Sequence, residues 1–547
     1  MIKKIFSNRI LNSGPSGSVI SAAFVITVAG LASRILGLFR DRLLASTFGA
    51  GDTLDAYYAA FRIPDLIYNL LILGALSAAF IPVFTSLISN EKKDEAWDLF
   101  NGVLNLAAIL IIGISLVIAL FAPFFMKLIT PGFSTQKIEI VVLFTRIMLL
   151  SPLFLGISGI MGGSLISFKR FLIYSIAPLL YNVGIIIGIL IFVKIWGPSG
   201  LAWGVVFGAF LHLLMQYLAV RNLGFTYKWS FRKAIFNSHV KRVVTLMIPR
   251  TIGIAVNQIN LLIITIFAST LAAGSLSIFN FAQNLQGVPL GLFGASFSIA
   301  VFPVLAALAA KGEKENFVKT FSVTFRQILF FIIPLSVFIL VLRAQIVRVV
   351  LGAGKFDWED TILTFQALGI FALSLFAQGT IPLLARAFYA LHDTKTPFYI
   401  ALVTEVVSIG AVLLLIGRFK IIGLAIAFSL AAVIQMLLLL FVLRSRFDNL
   451  DDKNIIKFSA KIALASVMAG LSIQLAKYLA APMVNLDTFI GIFIQLIASS
   501  LAGLSVFVGM CYALKLEEFF KFKNALTRKL FKGKQTIVED TADVSGI

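Results

Sequence analysis

Apolar residues run along this chain in long blocks separated by short polar connections. Blocks near or above 20 residues, the length an α-helix needs to cross roughly 30 Å of hydrocarbon, fall at 19–48, 54–88, 99–126, 138–167, 173–194, 200–221, 243–271, 276–309, 321–350, 361–390, 397–417, 420–444, 459–480 and 488–514. The pattern predicts an all-α polytopic membrane protein with 14 transmembrane helices. Pro64, Pro82, Pro123, Pro152, Pro178, Pro303, Pro334 and Pro382 lie inside these blocks. In a membrane bundle, neighbouring helices and water can satisfy the backbone groups a proline frees, so such positions suit helices that bend or line a cavity.

The connections alternate in charge. Those after even-numbered blocks carry Lys92 and Lys93, Lys169 and Arg170, Arg221 through Arg242, Lys311, Lys314 and Lys319, Lys395, and Arg444 through Lys457. Those after odd-numbered blocks are poorer, and 49–53 and 272–275 hold no basic residue. Basic loops are retained on the cytoplasmic side. An even span count with two basic ends therefore predicts cytoplasmic termini. The first block is long and carries arginines, with no clear cleavage site, so it is expected to be a retained helix rather than a signal peptide.

The halves echo each other. Gly74-Ala75 through Phe80-Ile81-Pro82-Val83 matches Gly294-Ala295 through Val301-Phe302-Pro303-Val304, at an offset near 220 residues. SNEKKDEA follows the first and AKGEKENF the second, Gly200-Leu201-Ala202 matches Gly423-Leu424-Ala425, and Arg221 matches Arg444. An offset of six helices gives repeats of one orientation, related by an axis along the membrane normal. The expected organisation is a cytoplasmic 1–18, six-helix bundles at 19–222 and 243–444, an extra helix pair at 459–514, and a basic cytoplasmic tail at 515–547. Such twin bundles can rock about a mid-membrane cleft, an arrangement common in transporters.

Composition agrees and excludes much. The 547 residues are 59% hydrophobic and 13% charged, with mean hydropathy +0.99. The net charge of +21 follows from basic loops, with contact to anionic lipids, and does not imply nucleic acid. Cys511 alone cannot form an internal disulfide, and the three histidines lack metal-ligand spacing. No Walker motif, nucleotide-binding glycine loop or Ser/His/Asp arrangement appears. A transporter without cofactor or metal is expected, driven by membrane potential or an ion gradient.

Charge inside the first two blocks points to the cargo. VISAAFVITVAGLASRILGLFRDRLLASTF places Arg34, Arg40, Asp41 and Arg42 in an apolar helix. Each intramembrane charge costs roughly 2.5–3.5 kcal/mol on insertion scales, so it faces a partner or an aqueous cavity. Arg34 and Asp41 lie within about 20° on the helical wheel, and Asp55 and Arg62 repeat that spacing in the second block. Pairing along each face is expected, with Asp41 and Asp55 organising arginines and an excess of guanidinium suited to bidentate phosphate binding. Arg250 and Arg386 could extend this surface. Asn257, Thr404 and Glu405 are candidates for a cation site.

The stretch Ser33-Arg34-Ile35-Leu36-Gly37, Phe39-Arg40-Asp41, Phe48-Gly49-Ala50-Gly51, Asp55-Ala56-Tyr57, Phe61-Arg62-Ile63-Pro64, Gly74-Ala75 and Ala79-Phe80-Ile81-Pro82 resembles the MurJ (MviN) family of lipid II flippases, within the multidrug/oligosaccharidyl-lipid/polysaccharide exporter superfamily. Ala385-Arg386-Ala387-Phe388-Tyr389-Ala390 with Asp393-Thr394-Lys395-Thr396-Pro397 resembles that family's segment between helices 10 and 11. The resemblance implies a multi-pass protein of the bacterial inner membrane. Its expected cargo is an undecaprenyl-pyrophosphate-linked peptidoglycan precursor, moved to the outer leaflet by alternating access. The head group would sit among Arg34, Arg40, Asp41, Asp55 and Arg62, and the tail in a groove of helices 13 and 14. The resemblance further implies a monomer in contact with membrane lipids and the cell-wall synthesis machinery. The chain departs from the family pattern at Tyr68, Asn69 and Leu73, and again at Gln283 and Asn284, where charged residues are common, so its cavity is expected to carry less charge. Alternatives are a flippase for another polyprenol-linked oligosaccharide and a drug exporter of the same architecture, which acids and aromatics would suit better than arginines. A metal-dependent polyprenyl-phosphate transferase would need paired carboxylates. Glu91, Asp94 and Glu95 are the nearest and resemble a solvated face.

Overall fold

The computed structural model describes residues 19–73, 79–229 and 237–531, and these are helical with short connections. The helices are α1 Val19–Phe48, α2 Asp52–Tyr68, α3 Ile81–Ser89, α4 Lys93–Leu120, α5 Ala122–Ile129, α6 Thr135–Ser167, α7 Phe171–Trp196 and α8 Ser199–Arg221. They continue as α9 Ser238–Ser269, α10 Ser275–Lys311, α11 Lys314–Val350, α12 Trp358–Ala390, α13 Lys395–Phe447, α14 Asp452–Ala480, α15 Phe489–Ala513 and α16 Glu517–Phe531. Among the described residues, ten helices are long and apolar enough to cross a membrane. One of them, the 53-residue α13, covers two predicted blocks and breaks between them at Lys420, whose φ is 49°.

Other boundaries differ from the expected ones for local reasons. The block 99–126 is two helices, because Pro123 has no N–H to give and starts α5 in its first turn. Block 54–88 leaves α-geometry after Tyr68 and forms a π-helical turn at Asn69–Leu73. Two further π-turns occur, Gly188–Phe192 within α7 and Leu290–Ala295, the latter about 220 residues after the first. The first ends just before Gly74-Ala75, which fall outside the described residues, and the last contains Gly294-Ala295. A π-turn widens the helix by one residue and frees backbone groups, a common device at functional positions.

The chain divides into two compact units, Met1–Asn280 with Leu351–Asp360, and Phe281–Val350 with Thr361–Ile547. In the first, α7 and α8 touch through glycine. A Cβ on Gly184 would sit 2.2 Å from the Gly208 Cα, and one on Gly188 2.4 Å from the Gly204 Cα. Between membrane helices no hydrophobic drive favours association, so backbone approach at small residues supplies the attraction. In the second unit, Phe317, Phe321, Ile328, Leu384, Phe388, Leu439, Ile462 and Cys511 form a buried core. The amphipathic α16 joins it through Phe522 on Phe331, with centroids 5.4 Å apart, and through a 2.5 Å ion pair of Arg326 with Glu518.

Candidate functional site

The charged helices α1 and α2 both belong to the first unit. On α1, Arg40 turns back on its neighbour: Nε and Nη2 donate to the Asp41 Oδ1 at 3.1 and 2.8 Å. Its Nη1 donates to the Asn182 Oδ1 of α7 at 3.1 Å. Asn182 is held in turn by donating to Ser33 Oγ and the Pro178 carbonyl. Asp41 is 2% exposed, whereas the Arg40 side chain retains 22%. Arg40 is thus aimed by two acceptors while part of its guanidinium stays accessible. Arg34, two turns earlier, is half-buried on the same helix. Gly37 lies between them, its Cβ direction opening onto the Asn182 amide at 3.9 Å.

On α2 the expected pairing of Asp55 with Arg62 is not made. Asp55, 1% exposed, accepts from Lys137 Nζ at 2.9 Å, Gly274 N at 2.7 Å, Ser277 N at 2.9 Å and Ser277 Oγ at 2.7 Å. It therefore caps the N-terminus of α10 from another helix, where the exposed N–H groups and the dipole favour a carboxylate. Lys137 also binds Asp52 at 2.7 Å and lies 3.9 Å over Phe133. Arg62 instead donates Nε to Thr265 Oγ1 at 2.7 Å and Nη2 to Asn280 Oδ1 at 3.1 Å. Seven residues along a helix is about 10.5 Å, farther than these two side chains need to reach for partners on α6, α9 and α10. Asp65, one turn past Arg62, makes no ion pair within 4 Å among the described residues.

Connections from the basic-poor face close around this cap. Lys355 N donates to the Ser46 carbonyl at 2.9 Å, Ala50 N to Asp360 Oδ2 at 2.8 Å, and Gly132 N to Ser269 Oγ at 3.3 Å. Gly274, with φ of +88°, packs so closely on Ala50 that a Cβ would stand 2.1 Å from its carbonyl oxygen. The segments 46–50, 132–137, 269–277 and 353–360 are thereby joined within the first unit.

Of the remaining candidates, Arg386, Thr404 and Glu405 belong to the second unit. Arg386, half-buried on α12, reaches the Pro382 carbonyl through Nη1 at 3.4 Å. Thr404 is buried and donates to its own helix at the Ala401 carbonyl, 3.0 Å away, and Glu405 is half-buried beside it. The side chains of Arg250 and Asn257 lie outside the described residues. No cluster of three or more His, Cys, Asp or Glu side chains suited to a metal occurs among the described residues. The segment after α12 is built tightly: Asp393 accepts from Lys395 N, Thr396 N and Thr396 Oγ1, and pairs with Arg446. Burial pushes its carboxyl up, but the Thr396 bonds and Arg446 outweigh this and hold it at about 2.

Sequence reasoning passed over Lys137, Asn182, Thr265, Ser277 and Asn280. Lys137 left a usable signal, being a basic residue in one of the basic-poor connections while Asp52 lies in another. The others are ordinary polar residues whose role comes from what they face.

The chain is an all-helical, multi-pass membrane protein with charged side chains buried in its first two helices, and comparison with known proteins places it among transporters rather than enzymes. The profile of the family described as "Lipid II flippase MurJ" matches residues 44–494, and the chain belongs to that family. Bdellovibrio bacteriovorus has a protein named "Probable lipid II flippase MurJ" that is 29% identical over 514 residues, covering 93% of this chain and 97% of the relative. A Vibrio cholerae protein of the same name is 29% identical over 484 residues, covering 86% and 90%. Among solved structures, "Lipid II flippase MurJ, inward closed conformation" superposes with a TM-score of 0.73 at 24% identity, covering 90% of this chain and 99% of that one. An inward-facing multidrug resistance MATE family transporter of the MOP superfamily gives 0.63 at 13%, covering 78% and 99%. At those identities the structures speak for the fold alone.

Proposed function

We propose that this protein flips the undecaprenyl-pyrophosphate-linked peptidoglycan precursor, lipid II, from the inner to the outer leaflet of the bacterial inner membrane by alternating access. The observation that carries the reading is Arg40: fixed by Asp41 and Asn182, yet partly exposed, on the helix that also bears Arg34. A guanidinium pre-aimed in this way binds a diphosphate with little ordering cost and stays charged in a low-dielectric setting. The family membership supports the same cargo.

In this reading the chain spans the membrane 14 times with both termini cytoplasmic. The bundles 19–222 and 243–444 are duplicates, and 459–514 offers a groove for the polyprenyl tail. The π-turns at Asn69–Leu73 and Leu290–Ala295, about 220 residues apart, support the duplication. Membrane potential or an ion gradient drives the cycle, and the segments joined around Asp55 part to release the head group. Arg34, Arg40 and Arg62 attract the pyrophosphate, Asp41 orients Arg40, and Asp55 governs closure. Arg386 and Arg250 assist.

The test is a leaflet-resolved assay of lipid-linked precursor in cells depleted of the wild-type protein. Arg34→Ala and Arg40→Ala are expected to insert normally and to leave precursor on the inner leaflet. Normal flipping by both variants would remove the arginine mechanism. Rescue by these variants of a different polyprenol-linked oligosaccharide, but not of lipid II, would instead favour the neighbouring substrate class.

A further inference from the structure

His212 stands deep in α8, and the flipping site described above makes no use of it. It lies nine residues before the helix end at Arg221, and its partner Ser158 lies nine before the end of α6 at Ser167. At 1.5 Å per residue that is roughly 14 Å, near the middle of about 30 Å of hydrocarbon. An ionisable side chain at that depth is costly and marks a functional place. On the helical wheel His212 falls with the buried Gly208, Met215 and Ala219, opposite the exposed Trp203, Phe210 and Leu214. It is nevertheless only half-buried, so its ring is reached from within the first unit rather than from lipid.

Ser158, fully buried on α6, suits either charge state of this ring. Its Oγ lies 2.7 Å from His212 Nδ1 and 3.2 Å from the His212 carbonyl oxygen. With the ring neutral and hydrogen on Nε2, the hydroxyl donates to Nδ1. When Nδ1 takes a proton, its N–H donates to Oγ and the hydroxyl hydrogen turns to the carbonyl. No donor is left facing a donor, and no heavy atom has to move. One turn along α8, Gln216 is 1% exposed and its Oε1 accepts no hydrogen bond among the described residues. It offers the imidazolium a second acceptor on the same face.

The helices packed on α8 are α6 and α7. His212 makes no ion pair among the described residues. The nearest charged residues along these helices, Arg146 on α6, Arg170 just before α7 and Arg221 on α8, stand eight or more residues from this level. The titratable groups facing that part of α8 are two phenols of α7. A Cβ on Gly208 would stand 2.4 Å from the Tyr181 carbonyl oxygen and 3.2 Å from its ring, and one on Gly162 2.7 Å from Gln216 Oε1 and 3.0 Å from the Tyr174 ring. Tyr181 thus sits at Gly208 and Tyr174 near Gln216, and the register between them sets Pro178 level with His212. Proline has no N–H, so the Tyr174 carbonyl lacks its helical donor there. The Pro178 carbonyl in turn holds Asn182, the acceptor of Arg40. A charge appearing at His212 therefore forms beside a proline-weakened turn of the helix that aims Arg40.

We propose that His212 is a proton-binding site and that its proton is the coupling ion of transport, an inference that rests on the flipping reading above. The proton enters from water on one side, stays on Nδ1 while the unit changes access, and leaves to the other side as the neutral ring re-forms.

Two measurements on the full-length protein test the site and the coupling separately. With His239→Gln and His392→Gln leaving His212 as the last histidine, NMR of ring-labelled histidine in detergent should show reversible protonation between about pH 8 and 4. Ser158→Ala should weaken that proton binding about tenfold. A ring that stays neutral throughout, or a titration indifferent to Ser158, would overturn the site. In vesicles at zero membrane potential, wild type should bias the precursor between leaflets by up to about tenfold per imposed pH unit, one proton's worth. His212→Gln, which can still accept from Ser158, should lose that bias. Flipping by wild type that ignores the gradient, or an equal bias in His212→Gln, would overturn the coupling. No flipping of the precursor under any condition, with the titration intact, would overturn the cargo reading and leave the proton site standing.

Discussion

Asp55 offers the sharpest perturbation, because one buried carboxylate gathers partners from two other segments of the chain. Its four bonds come from three places, the Lys137 ammonium, the N-terminus of α10 and the Ser277 hydroxyl, at 2.7–2.9 Å. Asp55→Ala leaves Gly274 N and Ser277 N unsatisfied and Lys137 with only Asp52, whose side chain is 65% exposed. Removing one partner of a buried ion pair costs about 3–5 kcal/mol. Asp55→Asn can still accept from the α10 N-terminus and loses chiefly the ionic part, about 1.5–3 kcal/mol. If these bonds exist only in the closed state, the alanine variant shifts closed against open by about two to three and a half powers of ten.

The assay is a distance distribution between spin labels at Gln136→Cys and Asp357→Cys, both exposed, in a Cys511→Ala background. Wild type should give one short distance. The asparagine variant should add a longer one, and the alanine variant should be dominated by it. A single unchanged short distance in both variants would refute the idea that Asp55 latches these segments. Lys137→Met should resemble Asp55→Asn, since it removes the same ion pair from the other side.

Arg40→Lys keeps the charge but not the fork to Asp41 and Asn182, so flipping in the precursor assay should fall roughly tenfold, and further with Arg40→Ala. Gly188→Val would drive a side chain to within 2.4 Å of Gly204. It should destabilise the α7–α8 pair by about 1–3 kcal/mol or more, read as a lower melting temperature in detergent, while Gly197→Ala has room and tests only its positive φ. The Asp393–Arg446 lock sits on a carboxyl held at about 2. A depressed folded value means its contribution is full above the unfolded value near 3.9 and is lost only as pH falls through about 2. Asp393→Asn should therefore lower the melting temperature at neutral pH, and that difference should persist unchanged down to about pH 4. Thr404→Ala should leave flipping intact, because its hydroxyl is already satisfied by Ala401.

The all-helical, multi-pass character was legible in the sequence. The length of the apolar blocks, the alternation of basic loops and the break between 417 and 420 are local properties, read one residue after another. So were the arginines of α1, since a charge in an apolar helix announces itself wherever the helix packs. The pairing was not legible. Equal spacing suggested Arg62 for Asp55, but spacing on one helix only says which residues share a face. Lys137, Gly274 and Ser277 reach Asp55 because loops up to about 220 residues apart in sequence meet there, and the same closure leaves Arg62 facing Thr265 and Asn280. Asn182 became the second acceptor for Arg40 because α7 lies against α1. The chain by itself fixes which segments leave water, since burial follows from composition. Tertiary structure alone decides which polar groups meet inside, since a hydrogen bond needs its partners within about 3 Å and in line, and no one-dimensional pattern encodes that distance.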